Sequence, residues 1–249
     1  MKYKKSLGQN FLQDSSVVEA LIDAVAINPQ DTVIEVGAGS GTVTKLLAKR
    51  AKRVVAVEFD AELIPQLEKN LASFDNIKII NLSILDLPLG ESGANKIVGA
   101  IPYQITSPLI HKIIEENFTG RFLESVGLIV QKEVGEKITA QPLRASYLSN
   151  FVQTYASVRL HQIVPPTAFY PVPKVESAII SFHFDKKPSE LDPFHWSSFL
   201  HRGFAHPRQM LNKAFPTELL QKAGLNPSQR PATLTVEEWQ HLFAILNRQ

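Results

Sequence analysis

The sequence predicts an α/β fold with a mostly parallel sheet, plus a small C-terminal all-helical domain. Three observations carry this. From Ser16 to Val130, short runs rich in valine and isoleucine alternate with amphipathic segments of helical period. Such alternation implies parallel strands joined by helical crossovers, with helices on both faces of the sheet. Prolines at 165, 166, 171 and 173 then form a rigid turn region that breaks the pattern. From Phe194 onward only helical periodicity remains.

The elements follow in order. Apolar positions 17, 18, 21, 22 and 25 predict a helix over Ser16 to Val25, capped by Asp14 or Ser15. Thr32 to Val36 reads as the first strand, and Thr42 to Arg50 as a helix with Val43, Leu46 and Leu47 on one face. Val54 to Val57 is the second strand. Asp60 stands at the expected N-cap of a helix over Ala61 to Leu71. Ile77 to Ile80 and Lys96 to Val98 are further strands, Ser107 to Glu116 a helix, and Val126 to Val130 the fifth strand. Val175 to Phe184 alternates as an antiparallel strand does. Asp185 to Pro193 is polar, holds two prolines and reads as a linker, so the expected domains are 1–184 and 185–249. A break at Gly224-Leu225-Asn226-Pro227 divides the helical tail.

Composition narrows the chemistry. With 44% hydrophobic and 20% charged residues the chain reads as a soluble globular protein. No apolar run approaches the length of a membrane span, and no apolar stretch follows the basic N-terminus as a signal peptide requires. The absence of cysteine excludes disulfides, thiolate zinc sites and cysteine nucleophiles, and the cytoplasm is the expected compartment. Net charge is only +2, but the basic residues cluster at Lys2 to Lys5, at Lys45 to Arg53 and from His201 to Lys213. One such cluster is equally well a solvated face; three of one sign favour a polyanionic partner.

Two segments point to a site. Glu35-Val36-Gly37-Ala38-Gly39-Ser40-Gly41 follows the first strand and opens a helix. Glycines there let the backbone turn sharply and approach a ligand. Thr42 stands where a dinucleotide fingerprint has its third glycine, which argues against NAD. The preceding acid and the closer glycine spacing favour S-adenosylmethionine, whose amino-acid part carries no pyrophosphate. Glu58 ends the second strand, where a carboxylate can accept both hydroxyls of a ribose. A tight turn and a surface glutamate are the plain alternative. The second segment is Gly99-Ala100-Ile101-Pro102-Tyr103, a stiff corner that offers a carbonyl and a ring face to a flat ligand.

With these residues in place the chain resembles a known family. Lys5-Ser6-Leu7-Gly8-Gln9-Asn10-Phe11-Leu12 is similar to the N-terminal motif of the small-subunit rRNA adenine N6,N6-dimethyltransferases of the kasugamycin-susceptibility type. The erythromycin-resistance methyltransferases are their relatives. The likeness continues through Glu35 to Gly41, Val57 to Asp60, Gly99 to Tyr103, Gln131-Lys132-Glu133-Val134 and Pro165 to Ala178. His201-Arg202-Gly203-Phe204 through Lys213, then Ala223 to Pro227 and Arg230, resemble the small helical domain of the small-subunit branch.

The resemblance implies a Rossmann-like methyltransferase domain that uses S-adenosylmethionine, with the helical domain binding rRNA. It implies that Asn10 and Leu12 line the cofactor pocket, with Gly37, Gly39 and Gly41 at the methionine part. Glu58 is expected at the ribose and Phe59 beside the cofactor adenine. Tyr103 and Phe169 are expected to sandwich the target adenine, with Ala100, Ile101 and Pro102 forming the catalytic corner. Two positions depart from the family pattern: Ala100 replaces an Asn (or Asp), and Ser83 replaces an Asp that contacts the cofactor adenine, with Asp86 the nearest carboxylate. In the family the Asn oxygen and the next carbonyl, here that of Ile101, accept the protons of the adenine amino group. Losing one acceptor predicts a slow enzyme, or else a non-catalytic RNA-binding ribosome-assembly factor that keeps the fold. Lys4, Lys5, Arg144, Arg202, Arg208 and Lys213 are the candidate phosphate contacts. Small-subunit rRNA in an immature subunit is the expected partner of a monomer, with no membrane and no metal.

Overall fold

The computed structural model describes residues 9–185 and 189–247. The chain divides into two compact units. The first comprises the described residues of Met1–Gly135 and Arg159–Asp185, and the second Glu136–Val158 with the described residues of Lys186–Gln249.

The first unit is built on a seven-stranded sheet. Its strands are β2 (Thr32–Val36), β3 (Arg53–Glu58), β4 (Ile77–Asn81), β5 (Lys96–Ala100), β6 (Ser125–Gln131), β7 (Ser157–Val164) and β9 (Ser177–His183), in the order β4-β3-β2-β5-β6-β9-β7. β4 through β6 run parallel, and β9 is antiparallel to β6 with Ile129 opposite Ile179. Helices α1 (Ser15–Asp23) and α2 (Thr42–Arg50) bring Val17, Val18, Leu21 and Leu47 against Val33, Val54, Val98, Ile129 and Ile179. The alternate residues Ile34, Val55, Ile97 and Leu128 are buried too, so both faces of the central strands are covered. This is why these strands read as continuous apolar runs.

The chain first winds outward from β2 through β3 to β4. It then returns to place β5 on the other side of β2, and this reversal opens a crevice at the carboxyl ends of β2 and β5. A separate antiparallel pair, β1 (Phe11–Leu12) with β8 (Phe169–Tyr170), sets Leu12 opposite Phe169.

Asp14 caps α1 as expected, its Oδ1 accepting from the Ser16 and Val17 amides. Asp60 does not cap α3 (Ile64–Leu71). It closes a turn ahead of the helix, its Oδ1 accepting from the Glu62 amide and its carbonyl from the Leu63 amide.

The second unit corrects the expected domain boundary. Its C-terminal helices are α7 (Pro193–Phe204), α8 (Thr217–Lys222) and α9 (Val236–Leu246). Helix α6 (Tyr147–Tyr155), from the middle of the chain, belongs with them. Trp196 Nε1 donates to Thr154 Oγ1 at 3.0 Å, and the Tyr147 ring stacks on His201 with centroids 3.9 Å apart. Phe199 is the hub of an aromatic core, 5.0–5.8 Å from the rings of Phe243, Phe215, Trp196 and Trp239. The break at Gly224 is a left-handed helix end, with the Leu225 amide bonded to the Leu220 carbonyl. Among the described residues no helix is long and apolar enough to cross a membrane.

Candidate active site

A cavity of about 300 Å³ opens at the β2/β5 crevice. Its floor is the glycine loop. Gly37 has φ +75°, and the Ala100 carbonyl lies 3.7 Å from where a Gly37 Cβ would stand. Gly99 is the register partner of Val36, and a Cβ on it would meet the Val36 Cβ and carbonyl at 2.9 Å, so glycine there lets β5 lie close to β2. The two sequence segments are thus neighbours because their strands are.

Glu58 organises the loop. One carboxylate oxygen accepts from the Gly39 amide and the other from the Asp60 amide, each at 2.8 Å. Burial raises its pKa, and the charge of Asp60 adds to this while the amides oppose it. Asp60 in turn accepts from Gln9 Nε2 at 2.8 Å. Glu35 lies deeper, 2% exposed, and its Oε2 has no hydrogen-bond partner. Burial pushes its carboxyl up to about 8, with the Glu58 charge adding to the effect and Thr44 offsetting part of it. An orphaned carboxyl oxygen beside a cavity suits a cationic ligand.

The antiparallel β1–β8 pair brings Asn10, Leu12 and Phe169 to one wall of the cavity. Phe169 is 5% exposed and belongs to the core cluster as well as the lining. Phe59, 63% exposed, lines the cavity too. Ser83 and Ile84 contribute from the loop after β4, and Ser83 Oγ accepts from the Leu85 amide of its own turn. Asp86, the nearest carboxylate in sequence, is exposed and outside the lining. Ala100, Ile101, Pro102 and Tyr103 close the remaining side. The Tyr103 hydroxyl is 2.8 Å from Ser177 Oγ on β9, which ties the ring to the sheet.

Of the sequence-derived cofactor residues, Asn10, Leu12, Gly37, Gly39, Glu58, Phe59, Ser83 and Ala100 line this cavity, and Gly41 does not. Gly41 has φ +85° at the N-cap of α2, and its missing side chain would point at Leu67 and Leu71 of α3. It serves helix packing, a role that glycine spacing alone cannot distinguish from ligand contact. Gln9 and Ser177 are contributors that the sequence analysis did not assign. Ser177 lies 74 residues from Tyr103, so no local pattern marks the pair.

The basic candidates Arg144, Arg202, Arg208 and Lys213 are exposed in the second unit. Arg202 is partly engaged, donating from Nε to the Ala214 carbonyl and lying over the Phe215 ring. Lys4 and Lys5 lie outside the described residues.

Residues 1–248 match the model of a family described as ribosomal RNA adenine dimethylase. A Streptococcus pneumoniae protein named ribosomal RNA small subunit methyltransferase A is 36% identical, over 99% of this chain and 93% of its own. The chain belongs to this family. Two solved structures agree with a ribosomal RNA adenine dimethylase fold. A dimethyladenosine transferase from Plasmodium falciparum superimposes with a TM-score of 0.81 at 23% identity, covering 96% of this chain and 98% of the other. The 23S rRNA methyltransferase ErmE gives 0.74 at 27% identity, covering 96% and 100%.

Proposed function

We propose that this chain transfers methyl groups from S-adenosylmethionine to adenines of small-subunit rRNA, as an rRNA adenine N6,N6-dimethyltransferase. The observation that carries this reading is the cavity at the switch point, where the loop ordered by Glu58 meets the Ala100 to Tyr103 corner. The relatives named for small-subunit methyltransferase A support the small-subunit branch over the resistance branch.

The cofactor, when bound, supplies an electrophilic methyl on a sulfonium. The chain's own residues hold and orient the reactants. Glu58, already fixed by two amides, keeps lone pairs for ribose hydroxyls. Tyr103 and Phe169 offer ring faces to the target base, each stack worth about 1–3 kcal/mol. The base must leave any helical stack to enter, so a flipped or single-stranded adenine is the substrate. Its exocyclic nitrogen is a poor nucleophile, because its lone pair is delocalised into the ring. The Ile101 carbonyl accepts an N–H of that amine and favours a tetrahedral nitrogen whose lone pair faces the methyl. Ala100 supplies no second side-chain acceptor, so transfer is slow for the family.

The substrate is an immature small subunit, the protein acts as a monomer and its compartment is the cytoplasm. Arg144, Arg208 and Lys213 position the RNA through phosphates without reading its sequence. The test is incubation with labelled S-adenosylmethionine and undermethylated small subunits. Dimethyladenosine is the expected product. RNA binding without any product would overturn the enzymatic reading in favour of a non-catalytic assembly factor.

A further inference from the structure

Leu143 breaks two rules at once. It is 77% exposed, the most exposed of the large hydrophobic side chains among the described residues. It also has φ +80°, a left-handed backbone that a leucine adopts only under strain. The local sequence is Gln141-Pro142-Leu143-Arg144, with the Arg144 amide bonded to the Gln141 carbonyl at 3.1 Å. Proline at the second place and positive φ at the third are the marks of a type II turn, whose third place calls for glycine or asparagine. Burial does not offset the strain. The turn is nevertheless held firmly, because the Leu143 amide donates to the Ala232 carbonyl at 2.7 Å. A strained residue whose side chain is presented to solvent by an anchored turn is explained by a partner and not by folding.

The surroundings say which partner. The Ala232 anchor sets this turn beside the segment that begins at Arg230, and both Arg144 and Arg230 are exposed. Glu237 lines a cavity with Gln141 and Pro142, but no other acidic residue occurs from Ile138 to Val158 or from Leu219 to Glu237, so with Arg144 and Arg230 the surround of the turn stays net basic. An apolar tip in a basic field matches a nucleobase flanked by phosphates, whereas an apolar protein surface would gain nothing from the arginines.

We propose that Leu143 is a wedge that packs on a nucleobase of small-subunit rRNA, with Arg144 and Arg230 on neighbouring phosphates. The proposal rests on the rRNA reading above and adds to it a contact in the second unit, outside the methylation cavity. The wedge opens or caps a base step, and the arginines hold the backbone in register with it.

The experiment measures binding of the full chain to transcribed small-subunit rRNA across a salt series. Leu143→Gly suits the turn better than leucine does, so it melts no lower than the parent. It is expected to bind rRNA about tenfold more weakly with an unchanged salt slope, since the lost contact is apolar. Arg144→Gln is expected to lower the slope by roughly 0.7–0.9, the loss of one phosphate contact. In Leu143→Trp the new indole is expected to be quenched by rRNA, against native tryptophans, Trp196 and Trp239, that are fully buried. Unchanged affinity in Leu143→Gly, with the parent still binding, would overturn the wedge alone. Weakened binding to assembled subunits but not to rRNA would overturn it in favour of a ribosomal protein. Failure of the parent to bind both the transcript and undermethylated small subunits would overturn the wedge and the rRNA reading together.

Discussion

Ala100 carries a methyl side chain where the family resemblance implies the carboxamide of an asparagine. Restoring the acceptor with Ala100→Asn is expected to raise the rate of methyl transfer about 10- to 100-fold, the worth of one well-placed hydrogen bond at a buried site. Single-turnover transfer measures it directly, and no gain would remove the acceptor from the mechanism. Ser177, bonded to the Tyr103 hydroxyl, is expected to act through that ring as a positioning residue. Ser177→Ala and Tyr103→Phe are each expected to lower kcat about fivefold, to leave the KM for the cofactor unchanged and to be non-additive together. Ser177→Thr is expected to recover most of the loss, which a purely structural role would not allow. Glu35 makes one contribution to the pH response. Folded, its carboxyl titrates at about 8; unfolded, near the ordinary 4.5. Between those values the folded chain keeps a proton that the unfolded chain has released. The stability tied to this group is therefore complete below about pH 4.5 and is lost as pH rises through 8. Glu35→Gln is expected to melt higher than the parent at pH 8, on the order of 5 °C, and close to it at pH 5. A constant offset across that range in calorimetry would contradict the assignment. The sequence named Glu35 as the acid before the glycines, but its isolation depends on strands packed over it.

At the scale of elements, glycines mark where helices and strands meet closely. Gly203 sits inside α7, where helix propensity favours alanine by about 1 kcal/mol. A Cβ there would lie 2.7 Å from Trp239 Cζ3, and Trp239 is fully buried among Phe199, Phe204 and Phe215. Overpacking costs about 1–3 kcal/mol, so it outweighs propensity. Gly203→Ala is expected to lower stability in urea, and a higher midpoint would show that Trp239 has room to move. The strands β2 to β6 and helices α1, α2 and α4 (Thr106–Gly120) were legible, because each buries a periodic apolar face. The stretch after β6, beginning with α5 (Lys132–Ile138), was not. Strand β7 lies at the sheet edge and is largely half-buried, so its pattern is weak. Helix α6 carries Ser149, Asn150 and Thr154 buried by local hydrogen bonds, which masks its apolar face.

Over the whole molecule, charge clusters matter more than the net charge of +2. The rRNA affinity is expected to fall linearly with salt on a logarithmic scale, and Arg208→Gln to reduce the slope by roughly 0.7–0.9 without changing cofactor affinity. An unchanged slope would take Arg208 off the RNA path. The sequence by itself determined the α/β class, the order of the central elements and the family. Those depend on residue periodicity and on short motifs whose chemistry is local. Only the tertiary structure decided that α6 joins the C-terminal helices, that Gly41 serves packing, and that Ser177 holds Tyr103. It alone placed an orphaned Glu35 oxygen beside the cavity and a strained leucine in solvent. Each of these depends on residues far apart in the chain or on burial and backbone angle, and such relations leave no periodic trace in a single sequence.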